Sequence, residues 1–303
     1  MIPLSILELG RVREGSDRRN ALDNARALAQ HAERLGYRRI WVAEHHNSPA
    51  VSTAATSLVV AHIAAGTTSI RVGAGGIMLP NHAPYVVAEQ FGTLETLYPG
   101  RIDLGLGRAP GTDGMTLRAL RRAPGKRRKT FLRMSSSYRG ISPPGARCSG
   151  SRLSRAQGLT CRYGYWARAC LEHNSQPLSA FPMPSGHNFS PQALHHALEA
   201  YRANFRPSKQ LQKPYALVGV NVIAGETDEE ARMLATSQQM SFADLFRGKI
   251  SLLQPPIDDI EMYWTPQEKK RRPIRCWTAA SWVASRLSAT ASIGLSPKLR
   301  LMS

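Results

Sequence analysis

Arg39-Ile40-Trp41-Val42-Ala43-Glu44-His45-His46-Asn47 decides how this chain is read, together with two later runs. The second is Ile70-Arg71-Val72-Gly73-Ala74-Gly75-Gly76-Ile77-Met78-Leu79-Pro80-Asn81-His82, and the third is Ile102-Asp103-Leu104-Gly105-Leu106-Gly107-Arg108. Each starts as an apolar segment of strand length and empties into a polar or glycine-rich turn. Helical spacing fills the gaps between them. Ala21 to Leu35 carries Leu22, Ala25, Leu28, Ala29, Ala32 and Leu35 on a helical period, and Gly36 follows as a C-terminal cap. Thr56 to Ala65 is a mostly apolar helix closed by Gly66, and Ala83 to Tyr98 is another, stopped by Pro99-Gly100. With Ile2 to Leu7 as an opening strand, the order is β-α-β-α-β-α-β with short connections. That order specifies a parallel sheet covered by helices. Four such units are half of an eight-stranded β/α (TIM) barrel. A doubly wound sheet is the competing architecture, but no G-x-G-x-x-G follows the first strand, which weakens its dinucleotide-binding version. The pattern resumes later: Pro191 to Phe205 is a helix with Leu194, Leu198 and Tyr201 on one face, Pro214 to Ala224 is a strand, and Thr227 with Glu230 forms a capping box.

The composition suits this architecture. The chain has 303 residues, 42% of them hydrophobic, enough for one large domain with a substantial core. No apolar run is long enough to span a membrane. The start, Met1-Ile2-Pro3-Leu4-Ser5, lacks the basic and long apolar regions of a signal peptide, so a cytoplasmic protein is expected. The net charge of +19 suggests nucleic acid until its placement is considered. Residues 123–182 hold eleven basic and one acidic side chain, and residues 265–303 hold eight and one, which puts +17 of the +19 in those two segments. Lys126-Arg127-Arg128-Lys129 and Lys269-Lys270-Arg271-Arg272 therefore read as solvated charge more readily than as a nucleic-acid site. The four cysteines, Cys148, Cys161, Cys170 and Cys276, lie in the same segments without C-x-x-C spacing.

In a parallel barrel the site lies at the carboxyl ends of the strands. Three successive strands here end in unusual residues. Glu44-His45-His46 can be a metal site, an acid–base group or a solvated turn. Adjacent histidines at a strand end point to opposite sides, which makes joint ligation of one metal awkward. Gly73, Gly75 and Gly76 serve a tight turn or let backbone approach a flat ligand. Arg108 is a surface charge or a phosphate binder. Glu89, on the third helix, is a solvated or ion-paired side chain on the bland reading.

The three runs resemble the bacterial luciferase-like flavin-dependent monooxygenase family in order and spacing, closely over residues 1–113 and more loosely over 187–264. The resemblance implies a single barrel domain over residues 1–303. It also implies reduced FMN delivered by a separate reductase, and O2 activated as a flavin C4a-hydroperoxide to oxidise a small organic substrate. His45 matches the family's catalytic histidine, with Glu44 beside it. Ala74, Gly75 and Gly76 match the segment whose non-proline cis peptide lies against the flavin. Glu89 and Arg108 match positions near the flavin and its phosphate. No metal, nucleic acid or membrane is implied. A homodimer through the early helices fits the family. The alternatives are a related barrel oxidoreductase using a deazaflavin or nicotinamide cofactor, an inactive remnant and, remotely, a basic nucleic-acid binder.

Residues 126–183 and 265–303 depart from the pattern, and we read them as out-of-frame translation. Back-translated and shifted, Met134 to Ile141 gives D-V-V-E-L-Q-G-Y, Arg162 to Leu171 gives P-V-W-L-L-G-S-S-L, and Pro297 to Ser303 gives A-E-T-Q-A-D-E-L. The first two look like a helix start and a strand ending in a Gly-Ser-Ser turn. The third resembles the acidic segment before the last strand. A chain so altered is expected to lose parts of the fifth, sixth and last barrel units, and with them flavin affinity, solubility or a stable fold.

Overall fold

The structure, a computed structural model, describes residues 3–107, 114–120, 162–166, 183–185, 194–207, 212–219, 221–271 and 280–284. Most of the two basic segments, all four cysteines and Arg108 lie outside the described residues.

The first half alternates as the sequence predicts: β1 (Ser5–Glu8), α1 (Arg18–Arg34), β2 (Arg39–Val42), α2 (Thr56–Ala65), β3 (Arg71–Met78), α3 (Pro84–Leu97) and β4 (Ile102–Gly107). A short helix α4 (Gly114–Ala119) and strand β5 (Arg162–Trp166) follow. The five strands make one parallel sheet in the order β1-β2-β3-β4-β5. The register runs without interruption in three of its four pairs: Ser5 to Glu8 against Arg39 to Val42, Arg39 to Val42 against Arg71 to Ala74, and Asp103 to Gly107 against Arg162 to Trp166. Arg162–Trp166 falls in the segment read as out of frame, and these residues as they stand form a strand.

Helix α1 begins one turn earlier than the apolar period suggests, because the Asp17 carboxylate accepts from the Asn20 backbone N–H at 2.7 Å and caps it. Its buried face is the alanine stripe Ala21, Ala25, Ala29 and Ala32, whereas Leu28 and Leu35 are exposed. Behind it, Val59, Val60 and Ile63 of α2 and Val87, Phe91 and Leu94 of α3 close over Ile40, Val42, Val72, Ile102 and Leu104 of the sheet. Every position of β2 and of β4 is buried, as expected for strands covered on both faces.

At the amino ends of the strands, buried Asp103 pairs with Arg39 at 3.5 Å and with Arg71 at 2.7 Å. Gly73 lies opposite Asp103, and a Cβ there would come within 2.4 Å of the Asp103 carbonyl oxygen. The glycine is what lets β3 and β4 pair.

The glycine run is not the loop expected from its composition. Strand β3 continues through Gly75 and Gly76 to Met78. Its register against β4 breaks between Ala74 and Ile77, so two glycines oppose one residue in a bulge. The Gly75–Gly76 peptide is cis.

The second half is less continuous. β6 (Met183–Ser185), α5 (Leu194–Ala203), β7 (Ala216–Val218), β8 (Asn221–Gly225), α6 (Asp228–Phe246), α7 (Pro266–Arg271) and β9 (Ala280–Ala284) follow in order. β6 pairs with β7 and β8 with β9, both parallel. The expected strand Pro214 to Ala224 is thus two strands in different pairs, the first ending at Val218 and the second beginning at Asn221. Thr227 caps α6 as expected, accepting from the Glu230 N–H at 3.1 Å, while the Glu230 carboxylate accepts from the Glu226 N–H at 2.6 Å. The whole is an α/β fold with a parallel sheet, part of a (β/α)8 barrel. Among the described residues no helix is long and apolar enough to cross a membrane.

Candidate active site

Three strand exits meet at the carboxyl end of the sheet. β1 ends in Glu8, and the chain turns at Gly10, whose φ is +60°. A Cβ at Gly10 would lie 2.5 Å from Thr53 Cγ2 and 2.6 Å from Ser52 Oγ, so only glycine lets this turn cross the segment that follows β2. The crossing is fixed by the Ser52 N–H to Gly10 O and Val12 N–H to Ala50 O bonds, both 2.9 Å, and pairs Arg11 with Val51. The Glu8 carboxylate accepts from the Gly10 N–H at 2.5 Å, and burial pushes its pKa up despite that bond and one from Leu9.

β2 exits into Glu44-His45-His46-Asn47, with Asn47 in the left-handed region at φ 50°. Glu44 is buried. Its Oε1 accepts from His46 Nε2 and from His82 Nε2, each at 2.7 Å. His82 stands just beyond the short 3-10 turn Leu79–Asn81 that follows β3. One carboxylate oxygen therefore ties the β2 exit to the β3 exit. Burial pushes the Glu44 pKa up, but the hydrogen bonds and charges of His46 and His82 outweigh it, and the carboxyl is held below its ordinary range. The second oxygen, Oε2, is buried and has no hydrogen-bond partner among the described residues.

Two imidazoles and a carboxylate, all within 4.8 Å, are a donor set that metals accept. The geometry is that of direct hydrogen bonds. Ligands around a tetrahedral ion sit about 3.3 Å from one another, whereas both N···O distances here are 2.7 Å, the length of charge-assisted hydrogen bonds. His46 and His82 come together across two loops and are not the adjacent pair His45-His46.

His45 points elsewhere. It is half-buried, and among the described residues no hydrogen bond engages its ring. Burial lowers its pKa, Glu44 opposes that shift, and the charges of His46 and Arg11 add to it. The shift favours the neutral imidazole.

The expected site residues divide. Glu44 and His45 share the rim at the exit of β2. Ala74, Gly75 and Gly76 form the neighbouring bulge of β3, buried and bare of side chains beyond one methyl group. Glu89 sits on the exposed side of α3 beside Tyr85, apart from this cluster. The buried acid of α3 is Glu95, which accepts from the Gly100 N–H at 2.8 Å and shapes the turn before β4. Sequence reasoning did not single out His82 and Arg11. The signal for His82 was its place right after a strand exit, and for Arg11 a cation next to a glycine turn at the same rim.

The family model for luciferase-like monooxygenase matches residues 2–131. A luciferase-like monooxygenase of Escherichia coli K12 is 42% identical over 270 residues, covering 88% of this chain and 80% of that one. The crystal structure of apo-MsnO8 superposes with a TM-score of 0.79 at 31% identity, covering 88% of this chain and 80% of its own. An FMN complex of the oxygenating constituent of 3,6-diketocamphane monooxygenase from Pseudomonas putida shares the fold, with a TM-score of 0.60 at 17% identity over 81% of this chain and 75% of that one. A parallel sheet with an acid–histidine rim, and this degree of identity along most of its length, place the chain in the luciferase-like monooxygenase family.

Proposed function

We propose that the protein is a cytoplasmic flavin-dependent monooxygenase that uses reduced FMN and O2 to oxidise a small organic substrate. The observation that carries the reading is the juxtaposition of His45, unengaged among the described residues, with the bare bulge Ala74-Gly75-Gly76 on the rim of a luciferase-like fold. Two features suit a flavin. The bulge offers a stretch of backbone that a flat ring system can approach, since no side chain larger than a methyl group stands on it. Glu44 Oε2 is a buried acceptor without a donor among the described residues, and flavin rings carry N–H groups. Arg108 is the residue we assign to the phosphate, by its match to the family pattern. Glu89, exposed on α3, is the weaker of the assigned cofactor contacts.

Bound FMN supplies the electrons that activate O2, and the protein supplies position, a dry pocket and a base. His45 is neutral near pH 7 and takes or holds a proton at a ring nitrogen. Glu44 neutralises and orients the rim: with Oε1 engaged by two imidazoles, it keeps the β2 and β3 exits in register and raises the basicity of His45. A separate reductase provides the reduced cofactor. Exposed Leu58 of α2 and Leu97 of α3 give the early helices an apolar outer surface that suits a homodimer.

The test uses the full-length protein with NADH, a general flavin reductase and FMN, and measures O2 uptake and product from a panel of aldehydes, ketones and thioethers. Incorporation of one oxygen atom from 18O2, lost in His45→Ala, is the expected result. Activity only with a reduced deazaflavin, without O2 consumption, would replace this reading with a hydride-transferring reductase of the same fold.

A further inference from the structure

The Glu44 cluster and the bulge account for most of the rim. Arg11 is left over. It stands on the turn after β1, held over Val51 by the crossing of the two strand exits. Its Nη2 donates to Ser241 Oγ of α6 at 2.7 Å, and that hydroxyl donates in turn to the Ser237 carbonyl at 3.1 Å. Its Nε is buried and has no hydrogen-bond partner among the described residues. No carboxylate pairs with it among them either. Of the two acids three positions away along the chain, Glu8 spends its Oε1 on the Gly10 N–H and Glu14 is exposed. A guanidinium has five N–H donors in a fixed fork, and a cation withdrawn from water is costly unless an anion meets it. Arg11 is also close enough to His45 to act on its charge.

We propose that Arg11 is a specificity residue that receives an anionic group of the organic substrate, a carboxylate or sulfonate, and so places the reacting end of that substrate against His45. Ser241 holds the fork from behind, and Gly10 gives the turn its position. The substrate class is then a small apolar molecule with one acidic terminus. This rests on the oxygenase reading for what happens at the other end of the molecule; the binding itself does not.

The experiment is equilibrium binding to the full-length protein of 4-phenylbutanoate and of 4-phenylbutanamide, which differ in the charge of one end. FMN binding is followed in parallel by flavin fluorescence. The acid should bind about tenfold tighter than the amide, or more, as one charge-assisted fork allows. Arg11→Gln should remove that preference while amide and FMN affinities stay as they were, and Arg11→Lys should keep part of it. Equal binding of acid and amide to the wild type overturns the proposal. A preference that survives in Arg11→Gln overturns it too. A fall in FMN affinity that parallels loss of the acid shows that the anion is the flavin phosphate, and also overturns it. These arms need no turnover, so a protein that prefers the acid but oxidises nothing keeps the Arg11 site and loses the oxygenase reading.

Discussion

Residues 3–107 and residues 212–284 are built from the same kind of unit and differ in how far it is completed. In the first region β2 and β4 are buried at every position, and Ile40, Val42, Val72, Ile102 and Leu104 share one core with α2 and α3. In the second, β8 alternates between half-buried and exposed, and Val222 keeps 50% of its surface. A strand inside a barrel is covered on both faces. Among the described residues, the continuous core lies in the first region. The other half contributes contacts to it, notably Ser241 under Arg11 and Leu253, whose backbone pairs with Val12 and Glu14.

The contrast can be broken in several ways. His45→Ala should lower kcat by about 10²–10⁴-fold, the range for a lost acid–base group, with the melting temperature unchanged. A loss below tenfold would take the chemistry away from the first region. Phe91→Ala, at a fully buried position, should cost about 3–5 kcal/mol in a denaturant titration, whereas Val222→Ala should stay within about 0.5 kcal/mol. Equal costs would erase the distinction between the halves.

A pH series sharpens it further. Only neutral His45 can accept a proton, and burial sets its pKa below the ordinary imidazole value, so kcat/KM should hold at pH values where a free imidazole is already protonated. Glu44→Gln removes an anion and should move the acid limb to lower pH; Arg11→Gln removes a cation and should move it to higher pH. Shifts of the opposite sign would mean that the limb belongs to another group. The smallest effect is at Glu33. Burial raises its pKa, but bonds from the Ile70, Ser69 and Thr68 amides and the Ser69 hydroxyl outweigh this and hold it at about 2. The folded chain therefore binds this proton more weakly than the unfolded one. Its stabilisation is complete above the ordinary carboxylate pKa and is lost as pH falls toward 2. Glu33→Gln should lower the melting temperature at pH 7 and flatten its fall in acid; an unaltered acid profile would exclude Glu33 as a contributor.

The helices of the first region could be read from the sequence because their ends carry local signals. Asp17, Pro84 and Gly36 punctuate them, and apolar period did the rest. The extent of β3 could not. Gly73 to Gly76 has the composition of a turn, and pairing with β2 and β4 makes it a strand, a fact about Trp41, Val42, Asp103 and Leu104 rather than about the glycines. Likewise Tyr215 to Ile223 has one continuous apolar character, and its division between two pairs depends on distant partners. At the site, Glu44 and His45 were visible as neighbours in the chain. His82 was not assigned because its tie to Glu44 spans 38 positions, and no local pattern records such a contact.

The shared oxygen of Glu44 also constrains motion. The two loops it joins cannot open one at a time, since moving either one breaks a charge-assisted bond and strands an N–H in a half-buried place. Breathing of the β2 and β3 exits is therefore coupled and infrequent.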